Sequence, residues 1–164
     1  MVSAAAVSLR DALNQKLSEL EEAVGGVSDA EAGQRSSEGE WCAKEVLSHL
    51  CGEEGERAVS RMRQFVEEDM PLIGVVRGLP YYTPRRQAMS VGELLSAVRS
   101  QYEEIGGFLA GLSDEQLARM GRVPILKETP LGEDVTLAQW AGAIINFHLT
   151  DHVGQLRKNR QAGA

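Results

Sequence analysis

Residues 136–157 read TLAQWAGAIINFHLTDHVGQLR. Thr136 followed three residues later by Gln139 is the sequence form of a capping box, which predicts that a helix starts here. Leu137, Trp140, Ile144, Ile145, His148, Val153 and Leu156 then recur at spacings of a helical stripe. Such a helix must bury that stripe against other elements. Positions four apart on a helix differ by only about 40° and one turn, so His148 and His152 project side by side. The chain has one other histidine, His49, about a hundred residues upstream in WCAKEVLSHL.

The other elements repeat the pattern. Ala6, Leu9, Leu13, Leu17, Leu20 and Val24 mark an amphipathic helix over residues 4–24, ended by the polar stretch GGVSDAEAGQRSSEGE. A second helix is expected from about Trp41 to Glu68, carrying Val46, Leu47, Leu50, Ala58, Met62 and Phe65. Cys42 stands at its N-cap with Glu45 three residues on, a capping box lacking its hydroxyl. Residues 69–89 hold three of the five prolines and no helical period, so they read as a crossover. A third helix follows in SVGELLSAVRSQYEEIGGFLAGL, opened by Ser90 and Glu93 and lined by Leu94, Leu95, Val98, Tyr102, Ile105 and Leu109. Ser113 and Gln116 start a turn or two of helix, and GRVPILKETPLGEDV is a loop or a short hairpin.

Four long helices without a convincing strand pattern give an all-α fold, a four-helix bundle forming one domain over residues 1–164. Long connections join helices two to three and three to four. At roughly 3.3 Å per residue the crossover can traverse a bundle about 30 Å long, so helices two and three are free to run the same way.

Composition narrows the function. A net charge of -7 with a pI near 5.0 excludes the basic face needed to bind nucleic acid. No apolar run reaches the roughly 20 residues of a membrane span, and MVSAAAVSLRDALNQ lacks the pattern of a signal peptide. Cys42 and Cys51, nine apart on one expected helix, lie about 13 Å apart on opposite faces and cannot bridge each other. A cytoplasmic protein with reduced, buried cysteines is expected.

Depth along the helices brings the histidines together. His49 lies about 12 Å from the start of its helix, and the His148/His152 pair lies roughly 12–18 Å from the end of the last one. If those helices are antiparallel neighbours, the three rings meet at one level. Three imidazoles suit Zn²⁺, Ni²⁺ or Fe²⁺, and three protein ligands leave a coordination position open, as in catalytic rather than structural sites. Such a site activates water or a thiol. Glu53, one turn beyond His49, is the candidate general base or fourth ligand. Asp151 suits the surface or a supporting role. The sequence contains no convincing Ser-His-Asp or Cys-His arrangement.

GEWCAKEVLSHL, LSDEQLARMGRV and TLAQWAGAIINFHLTDHVGQLR resemble the opening of the second helix and the closing half of the DinB-like superfamily. The resemblance covers about residues 5–160. It implies a bundle in up-down-down-up order with helices two and four antiparallel, and a divalent metal on His49, His148 and His152. Cys42 departs from the Ser or Thr of relatives, at about 0.5–1 kcal/mol of local stability. The family includes transferases dependent on low-molecular-weight thiols such as bacillithiol, mycothiol or glutathione, and metal-dependent hydrolases. The leading expectation is therefore a metal-dependent S-transferase acting on a small-molecule substrate with a low-molecular-weight thiol. The alternatives are a hydrolase using metal-activated water with Glu53 as base, and a non-catalytic metal-binding stress-response module. A bundle of this size can pair through an exposed helical face, so a homodimer is expected.

Overall fold

The structure is a computed structural model and describes residues 1–163. Helix α1 spans Ala4–Val24, with the Ser3 hydroxyl accepting from Ala5 N and Ala6 N. A short α2, Asp29–Ala32, leads to α3, Ala43–Cys51, and α4, Val59–Glu67. Beyond the crossover stand a single turn α5, Pro84–Ala88, and the long α6, Val91–Ala110. Helix α7, Asp114–Leu117, precedes an antiparallel pair, β1 Met120–Arg122 with β2 Asp134–Thr136. Of the two readings of residues 121–135, the hairpin is the one that forms. Helices α8, Leu137–Ala143, and α9, Leu149–Ala162, are joined without a break by a π-helical turn, Ile144–His148.

These elements make a four-helix bundle whose rods are α1, α3 with α4, α6, and α8 with α9. Both α1 and α3 pack between α6 and α9. The fully buried side chains come from every rod: Leu13 and Leu20, Leu47, Met62 and Phe65, Leu94 and Leu109, and Leu137, Ile145, Leu149 and Leu156. Burying each such side chain contributes about 1.5–3 kcal/mol, which is what holds otherwise marginal helices in place. No helix among the described residues is long and apolar enough to cross a membrane.

The second rod corrects the expected continuous helix over residues 41–68. Helix α3 stops at Cys51 because Gly52 takes φ +72°, and Gly55 follows at φ +86°. Glycine reaches the left-handed region without steric cost, so both residues serve as chain breakers. Gln101 bridges the break, accepting from Ala58 N at 3.0 Å and donating to Glu56 O at 3.0 Å. One direct consequence is that Glu53 is not a helical residue a turn beyond His49. It lies exposed in the connection.

The π turn has a reading in side-chain spacing. Leu137, Ala141, Ile145, Leu149 and Val153 are all buried and sit four apart. In a pure α-helix each such step drifts by about 40°, about 160° over the series, which would carry the stripe round to solvent. A wider turn at Ile144–His148 absorbs part of the drift and keeps the stripe on the core.

Candidate metal centre

Helix α3 carries the first histidine and is fixed at both ends. At its start the Glu45 carboxylate accepts from Cys42 N at 2.8 Å and pairs with Arg35 at 2.6 Å. Burial pushes the Glu45 carboxyl up, but the Arg35 hydrogen bond and the Cys42 N–H outweigh it and hold the group below its ordinary value. Glu45 is thereby committed to structure. In the last turn, His49 Nδ1 lies 2.8 Å from the backbone oxygen of Leu79 in the crossover. A carbonyl can only accept, so Nδ1 carries a proton and Nε2 is the nitrogen left for a ligand.

The last rod supplies the other two. His148 closes the π turn and His152 stands one turn further on. His152 Nδ1 lies 3.0 Å from Gln155 Oε1, an arrangement that again leaves Nε2 as the free acceptor. Ring centroids are 5.2 Å apart for His49 and His148, 4.7 Å for His49 and His152, and 4.6 Å for His148 and His152. One nitrogen from each ring lies within 4.8 Å of those of the other two. The convergence expected from helix depth is therefore present.

Electrostatics keep two of these rings, His148 and His152, neutral. Burial pushes His148 down to about 3, helped by the charges that His152 and His49 would carry. His152 is also lowered, by burial and by His49, against opposing contributions from Gln155 and Asp151. Two neutral imidazoles, joined by a third with its Nδ1 proton fixed, match the donor set of a borderline divalent cation. The hydrogen bonds that His49 and His152 donate to Leu79 O and Gln155 Oε1 are the kind that orient metal-binding histidines.

Trp41 walls one side. Its ring centroid is 5.1 Å from that of His49, and it lies nearly parallel to His152, 4° between planes at 6.4 Å. Asn159 Nδ2 holds this residue by donating to Trp41 O at 2.9 Å. Asp151 is exposed on α9. Among the described residues no carboxylate belongs to the cluster. Glu53 instead lines a cavity of about 150 Å³ with Cys51, Glu54, Arg85, Arg86 and neighbours, and none of the histidines borders that cavity. Both cysteines are free and buried, with Cys51 pushed up to about 11 by burial.

The sequence reading missed Leu79, whose contribution is a main-chain oxygen that no side chain encodes. Nor did it assign a site role to Gln155 and Asn159. Their positions three after His152 and seven after it were the available signal, since both lie on the histidine face.

A sequence model described as the DinB superfamily matches residues 12–156. The chain belongs to the DinB superfamily. No curated protein matches it. Among solved structures, this DinB-superfamily chain is similar to YfiT from Bacillus subtilis, described as "a probable metal-dependent hydrolase with an unusual four-helix bundle topology". The two share 18% identity, a TM-score of 0.78, 98% of this chain and 89% of the other. At that identity the likeness speaks for the fold.

Proposed function

We propose that this DinB-superfamily protein holds one divalent transition-metal ion, Zn²⁺, Ni²⁺ or Fe²⁺, on His49, His148 and His152, and transfers the sulfur of a low-molecular-weight thiol to an electrophilic small molecule. The observation that carries the reading is the set of three imidazoles with one nitrogen each within 4.8 Å of the others, two of them with Nδ1 engaged away from the cluster by Leu79 O and Gln155 Oε1. When bound, the ion supplies Lewis acidity that favours the thiolate form of a thiol and leaves a coordination position for it.

The chain's own residues do the rest. Leu79 O and Gln155 fix the orientation of two rings. Trp41 packs its ring against one flank of the cluster, 5.1 Å from His49 and nearly parallel to His152. In the overall reaction the thiol loses its proton, an S–C bond forms, and the leaving group departs with the bonding electrons. No nucleophile on the protein is required. A generic aromatic halide incubated with bacillithiol, mycothiol or glutathione should be consumed only when both thiol and metal are present. Failure of every thiol to give a metal-dependent rate removes the transferase reading.

Hydrolysis is the second reading, favoured by the description of YfiT. Here Glu53 would act as base, reaching the site by movement of the Gly52–Ala58 connection. Turnover of an activated ester without thiol, lost in Glu53→Gln, would favour it. Equal activity of that variant removes Glu53.

The up-down-down-up order has support from residue pairs. Cys51 with Leu94, Ala58 with Gln101, and Arg63 with Phe108 rise together along α3–α4 and α6, which supports those rods running the same way. Asn159 with Trp41 and His152 with His49 run oppositely, which supports antiparallel α3 and α9. Pairing of two copies into a homodimer is a separate expectation, read directly by sedimentation.

A further inference from the structure

Arg86 is a charged side chain only 7% exposed, and no step of the proposed chemistry uses it. Its Nη1 donates to Ser48 O at 2.8 Å and lies 3.3 Å from Ser48 Oγ and 3.4 Å from Tyr81 O. Ser48 is fully buried, and its hydroxyl donates to the same Tyr81 oxygen at 2.9 Å. Ser48 precedes His49 in the chain. Tyr81 follows Leu79, whose oxygen accepts from His49 Nδ1, by two residues. Two adjacent residues of α3 therefore grip the crossover at two carbonyls two residues apart.

The segment between the grips has little freedom. Pro80 fixes its own φ and restricts Leu79 to extended backbone. Tyr81 is held at φ +50°, a conformation that non-glycine residues adopt only when their surroundings impose it. The Ser48 hydroxyl and the Arg86 guanidinium both contact its carbonyl oxygen. Arg86 also satisfies a carbonyl in the last turn of α3, where a cation is favoured by the helix dipole. Its remaining face looks toward Glu54, 3.8 Å from Nε, and Glu54 in turn accepts from Thr83 Oγ1 at 2.6 Å.

We propose that Arg86 is a positioning residue of the histidine cluster: by clamping Ser48 to Tyr81 it holds the Leu79 carbonyl against His49 Nδ1 and so keeps Nε2 of that ring as the metal-facing nitrogen. This deepens the reading of a metal centre on His49, His148 and His152 and rests on it. Groups that orient a liganding histidine from behind are worth about 10–100-fold in metal affinity.

The test compares wild type with Arg86→Met, Arg86→Lys and Ser48→Ala, and uses Leu13→Ala as a core variant remote from the clamp. Nitrogen-15 histidine NMR on metal-free protein should show His49 as the Nδ1-H tautomer in wild type and Leu13→Ala, and a mixture of tautomers in Arg86→Met. Cobalt titration should show about a tenfold or greater loss of affinity in Arg86→Met, a smaller loss in Arg86→Lys and Ser48→Ala, and none in Leu13→Ala. If Arg86→Met fails to fold, the other two clamp variants carry the comparison. Wild-type tautomer and cobalt affinity throughout the clamp variants overturn the proposal. Absence of cobalt binding in wild type would instead strike the metal reading, while the tautomer measurement still decides whether Arg86 sets the ring.

Discussion

Replacing His148 by Gln should remove part of the acid sensitivity of the metal-free protein, by an amount the structure sets. In the unfolded chain an imidazole titrates near 6.5. In the native chain burial first, and then the neighbouring histidines, push His148 down to about 3. As pH falls below 6.5 the unfolded state takes up a proton that the native state refuses, so stability falls with it. The full contribution is present above pH 6.5, declines through acid pH, and levels off only below about 3. At 1.36 kcal/mol per unit, the 2.5 units from pH 6.5 to 4.0 correspond to about 3.4 kcal/mol. Residual solvent contact of the half-buried ring lowers this to about 2–3 kcal/mol. Urea unfolding of wild type and His148→Gln, with chelator present, measures it at each pH. The substitution has its own effect on stability at neutral pH, so the change in the difference with pH is read. His152 retains its acid sensitivity in both proteins, since burial and His49 still lower it. The gap should therefore shift by 2–3 kcal/mol in favour of the variant between pH 6.5 and 4.0. Parallel profiles over that window would refute the buried, neutral His148.

Further outcomes test the frame around the site. A Cβ on Gly121 would meet Phe65 Cε1 at 2.6 Å, and Phe65 is fully buried, so Gly121→Ala should cost about 1–3 kcal/mol by thermal unfolding. An unchanged melting temperature would contradict the packing of the hairpin on α4. Cys51, 5% exposed and pushed up to about 11, should resist iodoacetamide in native protein at neutral pH and label only on denaturation. Rapid labelling of the native form, followed by mass spectrometry, would contradict its burial.

What could be read from the sequence follows from which forces act locally. Helices α1 and α6 were legible because their apolar spacing and, for α6, the Ser90–Glu93 box agree with the structure. The break after Cys51 was not. Leu50, Ala58, Met62 and Phe65 keep helical phase across it, and this masked the opportunity that Gly52 and Gly55 offer. The π turn left a trace in the four-residue spacing of Leu137, Ala141, Ile145, Leu149 and Val153, which a uniform α-helix cannot keep buried. The histidine convergence was legible because helix rise converts chain position into depth. Glu53 was placed by assuming that the helix continued, so its expected position failed with the helix. Leu79 lay beyond reach because its role is played by a backbone oxygen delivered by the crossover.

The most direct measurement is elemental analysis of untagged protein, wild type beside His148→Ala. The account predicts about one equivalent of a divalent transition metal per chain in the wild type and its loss in the variant. Metal-free wild type that also refuses added zinc, nickel and iron, or a variant with undiminished metal content, would contradict it.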